Sequence, residues 1–325
     1  MRYSRRTVLG MLASIGVLAK GSPAFAQQGY PSRPIRLIVP FPPGSSVDLS
    51  ARTLGNKLND ILKANLIVEN RGGADGSIGT ELAARAAPDG YTLVCGNSTT
   101  HGANKVIYPN LAYDPSADFT PVSGLYKNVL SLAVANSLPV KSLAEFLAYA
   151  KARPGRISYG TAGIGSAMHL AAGLLGRRAQ IDLVHVPYKG GGPAVTDVLG
   201  GHIQATMASL AAVIQYHRSE KLRILAVTDS ERYGELPDIP TIAETFPGFE
   251  VLGWGGMFGP ARMPADISAR LNAAIAEALA SPEVKSTLNK AGLVPAWSTP
   301  QDLAKRVSAE IAHWREAVAS GIQVK

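Results

Sequence analysis

Ile35-Arg36-Leu37-Ile38-Val39-Pro40-Phe41-Pro42-Pro43-Gly44-Ser45-Ser46 is the stretch on which the fold turns. Its first five residues form a β-rich run that Pro40 ends. Phe41 to Ser46, with two prolines and a glycine, cannot be helical and reads as a turn. Beyond it, Val47, Ala51, Leu54, Leu58 and Ile61 recur at helical spacing and make one apolar stripe. Strand, turn and helix in that order begin a parallel β-α-β unit.

The unit continues on both sides of that helix. Leu66-Ile67-Val68 is the next strand and runs into Gly72-Gly73-Ala74-Asp75-Gly76. A second helix is predicted from about Ser77 to Ala86, a turn at Pro88-Asp89-Gly90 and a third strand at Thr92–Cys95. The same plan returns downstream. Ile157-Ser158-Tyr159 is followed by Gly160-Thr161-Ala162-Gly163-Ile164-Gly165-Ser166 and a helix to about Gly176, with Ala167, Leu170, Ala171, Leu174 and Leu175 on one side. Leu183–Val186 is a strand, Pro187 to Gly192 a glycine-rich turn, and a helix then runs to about Leu199 before Ala205–Ala208 closes the unit. The halves share pattern rather than residue identity.

The expected fold is therefore α/β, with two lobes, each a mostly parallel sheet flanked by helices and joined by right-handed crossovers. Asn128–Val134 and Val251–Phe258 read as two crossings between lobes, and two crossings make a hinge over a cleft. Helices at about 265–279 and 300–319 return to the first lobe. The predicted division is 27–127 with 250–325 for lobe 1, and 128–249 for lobe 2.

Composition bounds the partners. The 325 residues are 46% hydrophobic and 17% charged, which excludes a disordered chain. The formal charge of +8 is inflated by Arg2, Arg5, Arg6 and Lys20; without the first 26 residues, 28 basic residues face 24 acidic ones, or +4. No run of Lys and Arg interleaved with aromatics appears, so nucleic acid is not an expected partner. Residues 1–26 combine a basic head, an apolar stretch from Val8 to Ala19 and Ala24-Phe25-Ala26, the pattern of a cleaved secretory signal. Ser4-Arg5-Arg6-Thr7-Val8-Leu9 is similar to a twin-arginine motif, so either export route fits. The expectation is an exported, soluble protein outside the cytoplasm, and a monomer.

The chemistry is placed at the helix starts. In open α/β sheets, ligands bind beyond the carboxyl ends of the strands. Both lobes put a Gly/Ser-rich turn there, leading into a helix whose first N–H groups lack intrahelical partners. Two such turns across a cleft suit a carboxylate. The candidate ligand-binding residues are Phe41, Pro42, Gly44, Ser45, Ser46, Ser98, Thr99, Thr161, Ala162, Gly163, Gly165, Ser166 and Tyr188. Ser45-x-x-Asp48 also fits a capping box, and Asp48 with Arg52 an i,i+4 pair, which makes Asp48 a structural cap. Arg71 and Lys189 lie in turns where each is either a carboxylate partner or merely exposed. His169 is read as a hydrogen-bonded structural residue, Cys95 as a small buried strand residue, and Trp254 as either a cleft lining or hinge packing.

Catalytic and cofactor readings fare worse. Gly160-x-x-Gly163-x-Gly165 approaches a dinucleotide fingerprint, but the acid required at the end of the next strand is absent, since that strand ends at Val186-Pro187. No Gly-x-Ser-x-Gly elbow, P-loop lysine pattern or His-x-x-x-His pair occurs. A single cysteine excludes a disulfide framework and multi-cysteine metal sites. No enzyme activity, metal or cofactor is expected, although an exported hydrolase using Ser or His from the cleft remains the rival class.

Six ordered motifs carry a family resemblance. They are Pro40-Phe-Pro-Pro-Gly44 with Asp48 and Ala51-Arg52; Val68-Glu-Asn-Arg71; Ala87-Pro-Asp-Gly-Tyr-Thr-Leu93; Tyr113-Asp-Pro115 with Asp118-Phe-Thr-Pro-Val122; His185-Val-Pro-Tyr-Lys-Gly-Gly191; and Leu236-Pro-Asp-Ile-Pro-Thr241. The chain resembles the Bug-type solute receptors of tripartite tricarboxylate transporters over nearly all of its mature length. The resemblance implies a periplasmic, non-catalytic receptor of the two-lobed periplasmic-binding-protein-like type II fold. It implies closure on a small organic acid (a dicarboxylate, an aromatic carboxylate or an acidic amino acid) and delivery to membrane permease subunits or, in some members, to a membrane signalling protein. Its ligand-contacting turns match Phe41–Ser46 and Thr161–Ser166. Ser45 stands where the family often has a second Gly, and Gly72 and Asp75 where Pro and Gly are frequent; Asp75 disfavours an anion beside it.

Overall fold

Residues 29–319 and 321 are described in the computed structural model, so the predicted export signal lies outside them. The opening unit is β1 (Ile35–Val39), α1 (Ser46–Leu62), β2 (Leu66–Asn70), α2 (Ser77–Ala84) and β3 (Thr92–Asn97). β1 pairs in parallel with β2 on one side and β3 on the other. Four of its five residues are buried, as a strand covered on both faces requires. α1 buries Val47, Ala51, Leu54, Leu58 and Leu62, and Ile61 packs half-buried against the same core. Each fully buried aliphatic side chain of that stripe contributes about 1.5–3 kcal/mol.

The connection after β3 winds into a π-helical turn, Thr99–Ala103, and then α3 (Asn104–Ile107). β4 (Phe119–Ala135) follows and is 17 residues long. Up to the pair Val129–Leu252 it lies antiparallel to β9 (Leu252–Pro260), which inserts between β3 and β4. From Leu130 onward it pairs antiparallel with β7 (Ala205–Ser209) and β8 (Leu222–Val227) instead. One strand thus belongs to both sheets.

The second sheet adds β5 (Ser158–Thr161), which runs parallel to both β6 (Val184–Pro187) and β7. Its helices are α4 (Leu143–Lys151), α5 (Ala167–Ala179), α6 (Gly191–Leu199) and α7 (Leu210–Arg218). In the first lobe β9 and the two-residue β10 (Val294–Pro295) run against the other strands, and in the second lobe β4 does. The molecule is the expected two-lobed α/β protein, and its sheets are mixed: β1 with β2 and β3, and β5 with β6 and β7, pair in parallel, whereas every ladder of β4 and β9 is antiparallel.

The tail comprises α8 (Ala265–Ala280), α9 (Pro282–Lys290), β10 (Val294–Pro295) and α10 (Pro300–Ala319). α8 and α9 pack through Leu271, Ile275, Val284 and Leu288 onto the core that α1 fills. α10 has two allegiances. Leu303, Val307 and Ile311 join Ile38 and Val94 of the first lobe, whereas Trp314 and Ala317 join the second lobe's core around Leu170 and Phe146. Among the described residues no helix is long and apolar enough to cross a membrane.

Candidate ligand-binding cleft

Three connections leave the carboxyl ends of β1, β2 and β3, and a web of side chains ties them together. Ser45 caps α1, its Oγ accepting from the Asp48 N–H at 3.2 Å, a contact that stabilises a helix by about 1 kcal/mol. The capping box forms only by half: the Asp48 carboxylate reaches back past Ser45 to the Gly44 N–H at 2.9 Å. Gly44 holds φ +82°, a conformation that glycine adopts without penalty. Asp48 also accepts from Arg52 and from Asn70 Nδ2, and that same Asn70 amide donates to the Phe41 carbonyl. Burial pushes the Asp48 carboxyl upward, but hydrogen bonds from Arg52, Gly44 and Asn70 outweigh it and hold it below its ordinary value. Asp48 is a brace for the turn, as the sequence indicated. Arg71 is engaged by Glu69.

The third connection is organised by Asn97, whose Oδ1 accepts from the Thr99 and Thr100 N–H groups at 3.1 and 3.0 Å. Ser98 is buried and donates its N–H to the Trp254 carbonyl. Asn104 is 1% exposed and donates Nδ2 to the Asp75 carbonyl at 3.0 Å and to Ser77 Oγ at 3.1 Å. Tyr108 donates its hydroxyl to the Asp75 carboxylate. That bond, then burial, raises the Tyr108 pKa to about 12.

In the second lobe the turn after β5 is held from within. Thr161 Oγ1 accepts from the Gly163 N–H at 3.1 Å and sits 2.7 Å from His185 Nε2. Ser166 Oγ donates to the Gly163 carbonyl at 2.7 Å and accepts from the His169 N–H, capping α5. The Gly165 N–H points at His169 Nδ1, 3.4 Å away, from a φ of +79°. His169 lies off the apolar stripe, yet it is buried, because its ring stacks on His185 and meets Trp314 of α10. Burial and then the neighbouring His185 lower its pKa to about 4, so the ring is neutral. The hydroxyls of Thr161 and Ser166 are thereby spent on the turn itself. Ala167 and Met168 open α5, and their N–H groups belong to the first turn, which an α-helix leaves without intrahelical partners.

The two lobes meet at a cavity of about 400 Å³. Thr99, Asn104, Ile107 and Tyr108 line it from the first lobe, and Ile164 and Gly165 from the second. Of the predicted residues, Thr99 and Gly165 share this wall. Phe41, Pro42, Gly44, Ser45, Ser46, Ser98, Thr161, Ala162, Gly163 and Ser166 are not among the residues that line it. Tyr188 turns away: its hydroxyl bonds Asp197 at 2.5 Å and its ring faces Gly160. Asn97, Asn104 and Tyr108 were not among the sequence candidates; the one sequence signal for them is their nearness to the end of β3.

Trp254 is buried, with its indole N–H committed to Glu310, so it packs the crossing. Cys95 is buried within β3, and burial pushes its thiol up to about 12. Among the described residues no group of His, Cys, Asp and Glu is arranged to hold a metal ion.

The family model for the tripartite tricarboxylate transporter family receptor, TctC, matches residues 50–321. The chain belongs to this family. BugT of Bordetella pertussis is 37% identical over 314 residues, 96% of this chain and 95% of BugT. An R. palustris protein solved with adipate is 34% identical, with a TM-score of 0.79 over 90% of this chain and 98% of its own. MatC from Rhodopseudomonas palustris, solved with malate, is 34% identical, with a TM-score of 0.75 over 89% of this chain and 100% of its own. The chain is thus a Bug-type TctC solute-binding receptor and not an enzyme, which sets aside the hydrolase reading.

Proposed function

We propose that this TctC-family receptor captures a small carboxylate between its lobes in the periplasm and hands it to the permease of a tripartite tricarboxylate-type transporter. The observation that carries the reading is the pairing of two turn-to-helix starts, Phe41–Val47 and Thr161–Met168, in the two lobes, with a cavity between lobes of the size that holds small ligands. Backbone amides at helix starts attract anions without a charged side chain. Thr99 and Gly165 line the cavity itself, and Phe41, Pro42, Gly44, Ser45, Ser46, Ser98, Thr161, Ala162, Gly163 and Ser166 are assigned to the turns at the strand ends beside it; Tyr188 belongs to the next turn of the second lobe, with its hydroxyl on Asp197. The relatives with adipate and malate support a carboxylate as cargo.

In this reading residues 27–127 with 250–325 move as one lobe and 128–249 as the other, closing as a monomer over the ligand and creating the surface the permease recognises. The signal pattern in residues 1–26 supplies the route to the periplasm. Calorimetry of the mature chain against dicarboxylates, aromatic acids and acidic amino acids tests it. At least one acid binds with micromolar or tighter affinity; binding confined to sugars or cations defeats it.

A further inference from the structure

The lobes also touch beside the crossing, away from the cavity that Thr99 and Gly165 line. α9 packs into the first-lobe core through Val284 and Leu288, and the corner after it holds Gly292 at φ +73°. α7 belongs to the second lobe, with Leu210 and Val213 in the core that Leu222 and Ile224 fill. Gly292 faces the first turn of α7 so closely that a methyl group on it would overlap the Ala211 Cβ outright, with Ala211 Cα 3.3 Å and Ser209 Oγ 3.5 Å away. Both sides of the contact are anchored to the shared strand β4. β10 begins two residues after Gly292 and pairs Val294 with Lys127. Ser209, two residues before Ala211, pairs with Leu130 and donates its hydroxyl to Asn128 Oδ1 at 2.6 Å. Next to the contact a cavity of about 460 Å³ separates the helices, with Ile214 and Gln215 on one wall and Ser286 and Asn289 on the other. No hydrogen bond or ion pair joins α7 to α9 among the described residues.

We propose that Gly292 against Ala211 is the pivot of lobe closure: the bare Cα sets how closely the lobes approach beside the crossing, and volume added on either side wedges the cleft open. This rests on the lobe closure proposed above and names the residues that limit it. A contact between small groups without a directional bond lets one packed element slide or roll on another, which is how domains shear and close. Its place fixes the sign. Ser209 ends β7 and Val294 starts β10 opposite Lys127, so the contact lies between the two edges that face each other across the gap. Bulk there separates those edges, and a small displacement beside the crossing becomes a larger one at the far rim of the cleft. The φ of Gly292 alone does not require glycine, since asparagine also ends helices in this conformation. The overlap with Ala211 does require it.

Spin labels on Asp60→Cys in α1 and Lys151→Cys in α4, both exposed, report the distance between lobes by double electron–electron resonance in the full mature chain; the chain's single cysteine, Cys95, is buried. Ala211→Val adds volume from the second lobe and leaves the Gly292 backbone alone. Ala211 is half-buried, and valine, stiff at χ1, cannot swing its methyl groups away from the contact. Without ligand, Ala211→Val and Gly292→Ala each shift the distribution to a longer mean distance than the labelled parent's. Ala211→Gly added to Gly292→Ala removes the overlapping methyl and brings it back. With malate, adipate or glutamate as probe, the parent's distance shortens, whereas Ala211→Val stays long and binds about tenfold more weakly by calorimetry. Ligand-free distributions of Ala211→Val and Gly292→Ala that match the parent's overturn the pivot, and leave the carboxylate reading standing if the parent closes on an acid. Longer distances in both variants, with a parent that no acid shortens, uphold the pivot and overturn closure on a carboxylate. A double variant no better than Gly292→Ala assigns that effect to the backbone of Gly292 and overturns the pivot.

Discussion

Trp254 donates its indole N–H to Glu310 Oε2 at 3.0 Å, joining β9 at the crossing between lobes to the middle of α10. Trp314 donates to the other carboxylate oxygen at 3.2 Å. Burial raises the Glu310 pKa from 4.5 to about 7, against the lowering effect of the two indoles and Arg306. The folded protein therefore keeps a proton that the unfolded chain has already released in this range. The contribution of Glu310 to stability is whole below the unfolded pKa and declines as pH rises through the folded one. The full decline amounts to roughly 3 kcal/mol. Glu310→Gln removes it, so the variant's melting temperature falls less than the wild type's between about pH 5 and about pH 8, as read by circular dichroism.

His169 acts in the opposite sense. Its folded pKa, lowered to about 4 by burial and by His185, lies below the unfolded value of 6.5. The stability it contributes is present above the unfolded value and is lost as pH falls toward the folded one. His101, stacked on Phe258 and lowered by burial to about 3, adds to the same acid sensitivity. His169→Gln keeps an acceptor near the Gly165 N–H and cannot charge. Its melting temperature drops less steeply than that of the wild type on acidification below about pH 6.

Gly102 marks the closest approach of α10 to the π-helical turn. A Cβ placed there would stand 2.2 Å from Glu310 Cγ and 3.1 Å from its Cβ. The helix or the turn must yield, and overpacking of this kind costs about 1–3 kcal/mol. Gly102→Ala lowers the melting temperature, and because the turn carries Thr99, ligand affinity falls with it. A denaturation curve alongside calorimetry reads both effects.

Ser166 offers a sharper probe of the second-lobe turn. Aspartate is as good an N-cap as serine, so Ser166→Asp retains the bond to the His169 N–H, while it loses the donation to the Gly163 carbonyl. It also places a negative charge where the helix start would receive the ligand's carboxylate. Affinity for the preferred acid falls by on the order of tenfold, read by calorimetry, while circular dichroism still shows a cooperatively folded chain. Unchanged affinity removes this turn from the site.

The readable parts of the fold were those in which burial imposes a period. Val47, Ala51, Leu54 and Leu58 announce α1, and the run Ile35–Val39 announces a strand covered on both faces, because each is packed along its whole length. β4 was visible only over Asn128–Val134, since Pro121 and Gly124 break its pattern and its register shifts there to keep pairing with β9. α4, α7 and α9, nine residues each, were not predicted, because no glycine-rich turn after a strand marks their starts as it does those of α2 and α6. At the site, the braces Asp48 and His169 could be assigned from local spacing. Asn104 could not: it is made critical by a π-helical turn and by Asp75, 29 residues away in sequence.

A single strand threading both sheets leaves the molecule without an internal seam. A fragment ending near residue 130 would lack β9, so the flanks of β3 and the first half of β4 would be left as raw edges. Such edges invite aggregation. Neither half can be excised, shuffled or expressed as an independent cassette, and the part made first is sealed only once the segment from Leu252 onward has come back to it.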